Sequence, residues 1–422
     1  MGHIGGIRDV FDLALQFCGA GRAVRSDALV ECYRDVSDVN FPAGTAWSYS
    51  NGGYVLLTAA IERIAGAALE EVLDQLVFRP IGMSRTMLRR WDTDFVSNSA
   101  SLHSIGQDGS YEKAYLGMAL GGEGGLVSTV DDMLIWLSHM EEPKVGSTET
   151  WSTLKSPLRL MNGNQTCYGL GLMKTNYRGV EVLSHAGGVL GGNAQMLRVP
   201  CAKLDVVVMV NRDNLSAAKI ANDILDSCLP DLGPNDEPKV ELAAMGAYRS
   251  DSTGRTVQLF GQDQKQIAAI DGLDIPLVRI DKRRNIFRPV DTLNHLQYTL
   301  ELGGMDRAKP DSVRMTDCGT EDVLDRLELG DRAASNEIEG HYCSPSTGVE
   351  LTICPSAEGM LLEGAWRFGS SRMKLEAVGA CTWRVRPRSG LPWGGIVSCG
   401  PSDGALHFWS DRTKALKFAR RH

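Results

Sequence analysis

The sequence predicts an α+β domain followed by two copies of an antiparallel β module, sandwich or barrel. Three observations point there. Helix and strand patterns mix up to about residue 229, a proline- and acid-rich stretch follows, and beyond it a nine-residue string occurs twice, at 246–254 and 340–348. The length agrees: 422 residues exceed one ordinary domain and suit two or three at ~150 residues each.

In chain order, the first strong element is Tyr54 to Ala65, an apolar helical pattern closed by Gly66. Val72 to Phe78 continues helically, and Arg79 to Met83 reads as a turn. Val130 to Met140 is another helix, with Ser128 and Thr129 as cap candidates and Asp131 and Asp132 in its first turn. Strands are predicted at Val180 to Ser184, Asn193 to Val199 and Leu204 to Val210, then a helix from Asn214 to Leu229. Leu204 to Val210 is almost wholly apolar, as a strand covered on both faces would be.

Leu229 to Pro238 holds three prolines and three acids, a domain-boundary composition. Beyond it strand-like runs alternate with turns, with Glu321 to Leu329 as the one helical candidate. Gly246-Ala247-Tyr248-Arg249-Ser250-Asp251-Ser252-Thr253-Gly254 matches Gly340-His341-Tyr342-Cys343-Ser344-Pro345-Ser346-Thr347-Gly348 in register. An apolar strand follows each copy, as two modules opening with a tyrosine and a tight Ser-Thr-Gly turn would require. The expected division is 1–229, 239–332 and 333–422.

Composition excludes several classes. Apolar residues at 43% and charged residues at 23% are ordinary globular values. No run approaches the ~18 apolar residues of a membrane span. A net charge of −8 without a dense basic run argues against nucleic acid. The ten cysteines form no CxxC and the eight histidines no HxxxH, so neither a metal site nor a cofactor is expected. There is no P-loop and no GxGxxG. Scattered cysteines read as mostly buried thiols, and no signal peptide is visible, so the expected compartment is a reducing, cytoplasmic one.

Two short strings could carry chemistry. Tyr49 and Asn51 stand two apart before a helix, which reads equally as a turn with a capping asparagine. Ser184-His185-Ala186-Gly187-Gly188 ends a predicted strand, where a histidine could face a cleft and the glycines admit a substrate to the backbone N–H groups. It reads equally as a hairpin turn beside a surface histidine.

Several segments, taken together, resemble the penicillin-recognising serine hydrolases, the family of class C β-lactamases, DD-peptidases and D-aminopeptidases. His3-Ile4-Gly5-Gly6-Ile7 is similar to the family's His-Thr-Ser-Gly-Ile/Leu segment, and Pro42 to Tyr54 to its Pro-Gly-x-x-x-x-Tyr-Ser-Asn block. Arg79 to Met83 resembles Pro-Leu-Gly-Met, Gly124 to Thr129 resembles Gly-Gly-Leu-x-Ser-Thr, Tyr168 to Gly171 resembles Tyr-Gly-x-Gly, and His185-Ala186-Gly187 resembles His-x-Gly. The resemblance covers residues 1 to about 229. Gln16 to Gly21 matches no family motif. Two following β modules, then expected as β-barrels, are similar to the D-aminopeptidases of the family.

The resemblance implies release of an N-terminal D-residue from a small peptide or amide through an acyl-serine, with room for a homodimer. Tyr49 would be the phenolate or proton relay, Asn51 a hydrogen-bond partner of the catalytic lysine and substrate carbonyl, and His185 the polar group at the strand edge. Gly187 and Gly188 would bind substrate, the N–H of Gly188 as an oxyanion donor. With an ordinary phenol pKa near ~10, Tyr49 is a base only beside cations.

The family's nucleophile and lysine sit in a Ser-x-x-Lys upstream of the His3-like segment. Here the four such strings, Ser110/Lys113, Ser152/Lys155, Ser216/Lys219 and Ser371/Lys374, all follow Tyr49. The expectation is therefore an N-terminally truncated enzyme without its nucleophile, and an uncovered apolar edge at Leu204–Val210. The alternatives are a non-catalytic binder of D-amino-acid peptides, or a truncated esterase, β-lactamase or DD-carboxypeptidase of the family.

Overall fold

A computed structural model describes residues 1–106, 108–234, 245–281, 283–290, 297–304, 309–328, 338–357, 359–387, 394–399 and 405–421. The linker residues 235–238 and the boundaries expected at 239, 332 and 333 lie outside these.

The first two helices, α1 (Val10–Cys18) and α2 (Ser26–Cys32), are absent from the sequence reading. Every residue of α1 is buried, including its polar stripe of Asp12 and Gln16, which bonds the second barrel and does not face solvent. Its Val10, Phe11, Ala14 and Leu15 pack into the first domain, while Leu13 and Phe17 enter the core of the last β module. This accounts for the unmatched segment Gln16 to Gly21: Phe17 is an inter-domain plug, and Gly19, at φ 80°, ends the helix.

Helix α3 (Asn51–Ala65) contains the predicted Tyr54–Ala65 and stops at left-handed Gly66. Its cap is Ser50, whose hydroxyl accepts the Gly53 N–H at 3.2 Å, so Asn51 is the first helical residue and not the cap. The stretch expected as helix then turn is helical throughout: α4 (Leu69–Leu73), a π turn (Asp74–Phe78), and α5 (Arg79–Ile81), with left-handed Gly82 stopping the chain. Short strands β1 (Met87–Leu88), β2 (His103–Ile105), β3 (Tyr111–Lys113) and β4 (Leu126–Val127) form two small ribbons. Helix α6 (Val130–Glu141) starts as predicted, with the Thr129 hydroxyl accepting the Asp132 N–H. Helix α7 is Thr148–Lys155.

Strands β5 (Met173–Tyr177), β6 (Val180–Val189), β7 (Gly192–Val199) and β8 (Leu204–Val210) form one antiparallel sheet in sequence order. Strand β5 adds to the three expected strands, and β6 runs five residues further than predicted, through His185, Gly187 and Gly188. Helix α8 (Ala217–Cys228) covers one face, packing Ala218, Ala221 and Leu225 on Val206 and Val208. Leu137 of α6 and Trp151 of α7 cover Val207 on the other. The Val206–Val208 face of β8 is thus buried, whereas on the other face Val207 is half-buried and Met209 exposed, and among the described residues its outer edge pairs with no strand.

The remaining strands close two eight-stranded antiparallel barrels, which decides between sandwich and barrel. The first contains β9 (Gly246–Arg249), β10 (Thr256–Gln262), β11 (Lys265–Ile270), β12 (Leu273–Asp281), β13 (Ile286–Pro289), β14 (Tyr298–Gly303), β15 (Ser312–Asp317) and β16 (Thr320–Arg326). The second contains β17 (Gly340–Cys343), β18 (Glu350–Ser356), β19 (Gly359–Trp366), β20 (Gly369–Gly379), β21 (Thr382–Pro387), β22 (Gly395–Cys399), β23 (Leu406–Trp409) and β24 (Leu416–Arg421). The helix expected at Glu321–Leu329 is corrected to β16 over Thr320–Arg326. Its alternation is disguised because the inward Asp322 is polar and the outward Val323 apolar.

The sequence repeat is a structural repeat. Gly254 and Gly348 donate to the carbonyls of Ser250 and Ser344 at 2.9 Å each, and the Ser250 and Ser344 amides donate across each turn at 2.9 and 2.8 Å. Tyr248 and Tyr342 fill equivalent positions in the two cores. The turn glycines differ in their surroundings. Both have positive φ, 79° and 72°, but a Cβ on Gly254 would lie 2.7 Å from Trp409 of the second barrel, whereas one on Gly348 meets open space. Alanine at either position costs roughly 1–2 kcal/mol of left-handed strain. Gly254→Ala is expected to lower the thermal midpoint clearly further than Gly348→Ala; equal shifts in parallel melts would contradict the packing of this turn on the second barrel.

Candidate active site

Tyr49 lies just ahead of α3, in a segment fixed from two sides. Ser48 donates its N–H to the His3 carbonyl at 3.0 Å, and the Ser50 N–H reaches His3 Nδ1 at 3.1 Å. The Asp9 carboxylate caps two helices at once, accepting from Phe11 and Asp12 at the start of α1 and from Asn51 and Gly52 at the start of α3. Gly52 must be glycine: a Cβ there would sit 2.1 Å from the Tyr33 hydroxyl.

The sheet brings the second predicted group to the first. His185 on β6 hydrogen-bonds the Tyr168 hydroxyl through Nε2 at 2.9 Å, and its ring lies 6.5 Å from that of Tyr49. Tyr168 also packs edge-on against Tyr49 at 6.2 Å. Thus Tyr49 and His185 converge on Tyr168, which the motif reading quoted without giving it a role. Gly187 and Gly188 stand opposite Ala194 and Asn193 of β7 and are exposed. Pairing of β6 with β5 ends at Ser184, so among the described residues no strand pairs with that side of β6 from His185 to Val189. His185 is therefore mid-strand and not in a hairpin turn. Asn51 starts α3 two residues beyond Tyr49, half-buried.

In three of the four Ser-x-x-Lys strings the serine is engaged in a hydrogen bond of its own. Ser110 bonds Asp108 at 2.6 Å, Ser216 caps α8 through the Lys219 N–H, and Ser371 donates to the Gln16 carbonyl at 2.8 Å. Ser152 is exposed on α7, and Lys155 donates to the Met140 carbonyl.

Both barrels send a turn into the site, which local sequence could not show. The 410–414 turn between β23 and β24 places the Arg412 guanidinium 5.0 Å from the Tyr49 ring centroid, while His3 stacks on that ring at 4.1 Å. Asn40 accepts the Lys414 N–H at 3.0 Å and donates to the Arg412 carbonyl at 2.8 Å; Arg8 reaches the Lys414 carbonyl at 2.5 Å. Asp12 accepts from Ser410 and Thr413 at 3.3 and 2.9 Å. From the first barrel, Cys318 in the β15–β16 turn is disulfide-bonded to Cys167, 151 residues away, beside Tyr168 and Trp47. The expectation of mostly buried thiols is therefore corrected. Cys18 and Cys32 are buried, whereas Cys201, Cys228, Cys354 and Cys381 are exposed.

Burial decides the electrostatics. It pushes the Tyr49 phenol up, with Arg412 opposing and Asp9 adding to the rise. It likewise lifts Tyr54 to about 12 and raises Tyr168, each helped by the neighbouring Tyr49. Arg412 is raised despite burial because Asp9, Asp411 and Asp12 surround it. Asp9 is raised by burial, against Arg412 and the capping N–H groups. Asp12 is lifted to about 7 by burial and then by Asp9, against Arg412 and Thr413.

The Beta-lactamase family model matches residues 24–227. The chain carries a domain of the β-lactamase family. Two curated D-aminopeptidases are similar to it. That of Gluconobacter oxydans is 28% identical over 227 residues, 52% of this chain and 42% of its own length. That of Brucella anthropi is 23% identical over 390 residues, 90% of this chain and 70% of its own length. Among solved structures, the octameric penicillin-binding protein homologue from Pyrococcus abyssi aligns over 76% of each chain with a TM-score of 0.52 at 19% identity, a likeness of fold. The Gluconobacter alignment spans about the length of the β-lactamase-family domain, whereas the Brucella alignment is long enough to include both barrels.

The raised Asp12 predicts a pH dependence. A carboxyl bound more tightly to its proton in the folded state stabilises below its unfolded value near ~4 and loses that contribution as pH rises through about 7. Asp12→Asn keeps an acceptor for Ser410 and Thr413 without the charge. Melts of the wild type from pH 5 to pH 8 are expected to fall relative to Asp12→Asn, whereas parallel curves would refute this assignment.

Proposed function

We infer that this chain is a D-aminopeptidase-like member of the serine hydrolases, whose site around Tyr49 and His185 takes the N-terminal D-residue of a small peptide or amide. The observation that carries the reading is the similarity to a curated D-aminopeptidase over 90% of the chain. It is supported by the junction of a β-lactamase-family domain with two closed barrels that both reach the site.

The groups divide as follows. The open edge of β6 supplies main-chain N–H donors, that of Gly188 suited to a carbonyl oxygen as negative charge develops on it. Asn51, at the head of α3, supplies amide hydrogen bonding to the same carbonyl. His185, oriented by Tyr168, adds a polar group at the strand edge. Tyr49, with its phenol raised by burial, holds its proton at neutral pH and acts as a donor in the site as it stands.

Acyl transfer needs a nucleophilic serine with an activating base. These 422 residues contain no Ser-x-x-Lys before Tyr49, and in three of the four that follow the serine is engaged in a hydrogen bond of its own. The chain by itself is therefore read as competent to bind and not to form an acyl-serine.

The test is stereoselective binding without turnover. In calorimetric titration, D-alaninamide is expected to bind more tightly than L-alaninamide, and Tyr49→Phe and His185→Ala each to weaken it by about tenfold, ~1.4 kcal/mol. A fluorophosphonate probe is expected to label no serine, and D-alanine p-nitroanilide to remain uncleaved. Equal binding of the two enantiomers would remove the D-peptide reading; a labelled serine would show that the chain has a nucleophile after all.

A further inference from the structure

We propose that Cys167 and Cys318 form a redox-responsive latch, a thiol–disulfide exchange site that holds the first barrel's β15–β16 turn on the Tyr168–His185 pair when oxidised and releases it when reduced. Four observations carry this. Among the described residues the bond is the one disulfide, and it joins two domains across 151 residues with a Cα–Cα distance of 5.4 Å, inside the ordinary disulfide range. It is therefore the single covalent clamp between the β-lactamase-family domain and the first barrel apart from the chain itself.

The turn is unusual without the bond. Cys318 and Gly319 both have positive φ, 44° and 90°, as a two-residue primed hairpin requires. Asparagine, aspartate or glycine suits the first of these positions, and a cysteine there is strained. Its presence has a reason in the cross-link, because only there does the side chain meet Cys167.

The other ties of the turn are weak. Asn162 and Asn164 donate to the Gly319 carbonyl at 3.3 and 3.0 Å from exposed positions, where water competes. The Cys167 N–H donates to Cys318 Sγ at 3.0 Å. Opening the disulfide leaves the hairpin on these contacts, on the packing of Cys318 against Trp47, Tyr168 and Met173, and on the Arg255–Asp317 pair at its base.

The site lies one residue away. Cys167 precedes Tyr168, whose hydroxyl bonds His185, and Cys318 packs with Trp47, Tyr168 and Met173. Displacing the turn removes one wall of that aromatic cluster, so Tyr168 and the histidine it orients gain freedom.

Access selects the chemistry. Cys167 is half-buried and Cys318 buried, so a small thiolate attacks the Cys167 sulfur, the S–S bond breaks, and Cys318 leaves and takes up a proton. A second thiol then releases Cys167. The balance is one protein disulfide plus two low-molecular-weight thiols giving two cysteine thiols plus one small disulfide. Oxidation is the reverse, with a glutathione-type disulfide accepting the two electrons.

The experiment uses the full 422-residue chain equilibrated in oxidised or reduced glutathione, with alkylation, peptide mass spectrometry and amide hydrogen exchange. In the oxidised buffer Cys167 and Cys318 should be recovered as one cross-linked peptide. In the reduced buffer both should be alkylated, and exchange across 158–170 and 312–321 should rise at least about tenfold while 340–356 in the second barrel stays unchanged. Cys318→Ser should show the reduced-state pattern in both buffers, and Cys201→Ser, at an exposed unpaired position, the wild-type response. Free thiols at both positions after oxidation, or identical exchange in the two buffers, would overturn the proposal. The wild-type comparison stands even if Cys318→Ser fails to fold, and none of these readouts depends on turnover or on the identity of a substrate.

Discussion

Asp271 ties the two barrels to each other. Its buried carboxylate accepts Arg255 Nε at 3.0 Å and Lys414 Nζ at 3.2 Å, and Arg255 reaches on to Asp317 at 2.8 Å. Burial alone would raise this acid, but Arg255 and Lys414 outweigh it and hold it below the usual carboxylate range. A dry carboxylate with its partners removed costs several kcal/mol, about 3–5 for the loss of one partner. The network therefore tolerates one arrangement of its members. Lys414 belongs to the turn that carries Arg412 to Tyr49, and Asp317 immediately precedes Cys318. One buried charge cluster thus sets the positions of both barrel turns at the site.

The helix α1 answers the same constraint from the other side. A helix of nine residues with no exposed face cannot be stable on its own domain surface; it needs two cores. Phe17 comes so near Gly364 of the second barrel that a Cβ there would lie 2.6 Å from its ring. Asp9, the N-cap of α1, also holds the first amides of α3, and Asp12 in the first turn of α1 binds Ser410 and Thr413. Moving the second barrel would therefore disturb the helix that positions Tyr49. The covalent bond at Cys167 adds a further restraint, worth ~5 kcal/mol by chain entropy for a loop of 151 residues.

Elements governed by local rules were legible in the sequence. Helix α3 shows its stop at Gly66 and α6 its cap at Thr129, β8 its apolar run, and the tyrosine–serine–glycine repeat shows the duplication whose hydrogen bonds recur in both barrels. What depends on tertiary contact was not. Helix α1 is short, and its polar stripe of Asp12 and Gln16 is buried against the second barrel, a destination that local sequence does not mark. Strand β6 extends past Ser184 because its glycines, which read as a turn, sit exposed on an edge without strain. Strand β16 hides its period because Asp322 points inward to the Ser250 hydroxyl at 2.5 Å. In the site, Tyr49 and His185 were visible as motif residues. Arg412 lies 363 residues beyond Tyr49, and nothing near it in sequence marks its destination.

The competition around Tyr49 determines what the site can do. A phenol becomes a base near neutrality when nearby cations stabilise its anion by more than burial penalises it, at about 1.4 kcal/mol per unit of pKa. Here Arg412 faces it, and that cation is shared with Asp9, Asp12 and Asp411. The neighbouring Tyr168 and Tyr54 are raised as well, so the cluster resists taking on negative charge as a unit. A second, unshared cation close to the phenol would tip this balance, and in Ser-x-x-Lys chemistry that cation arrives with the nucleophile. Base strength at Tyr49 is therefore set by the charges placed beside it, and Arg412, drawn towards three carboxylates, leaves the phenol in its protonated form.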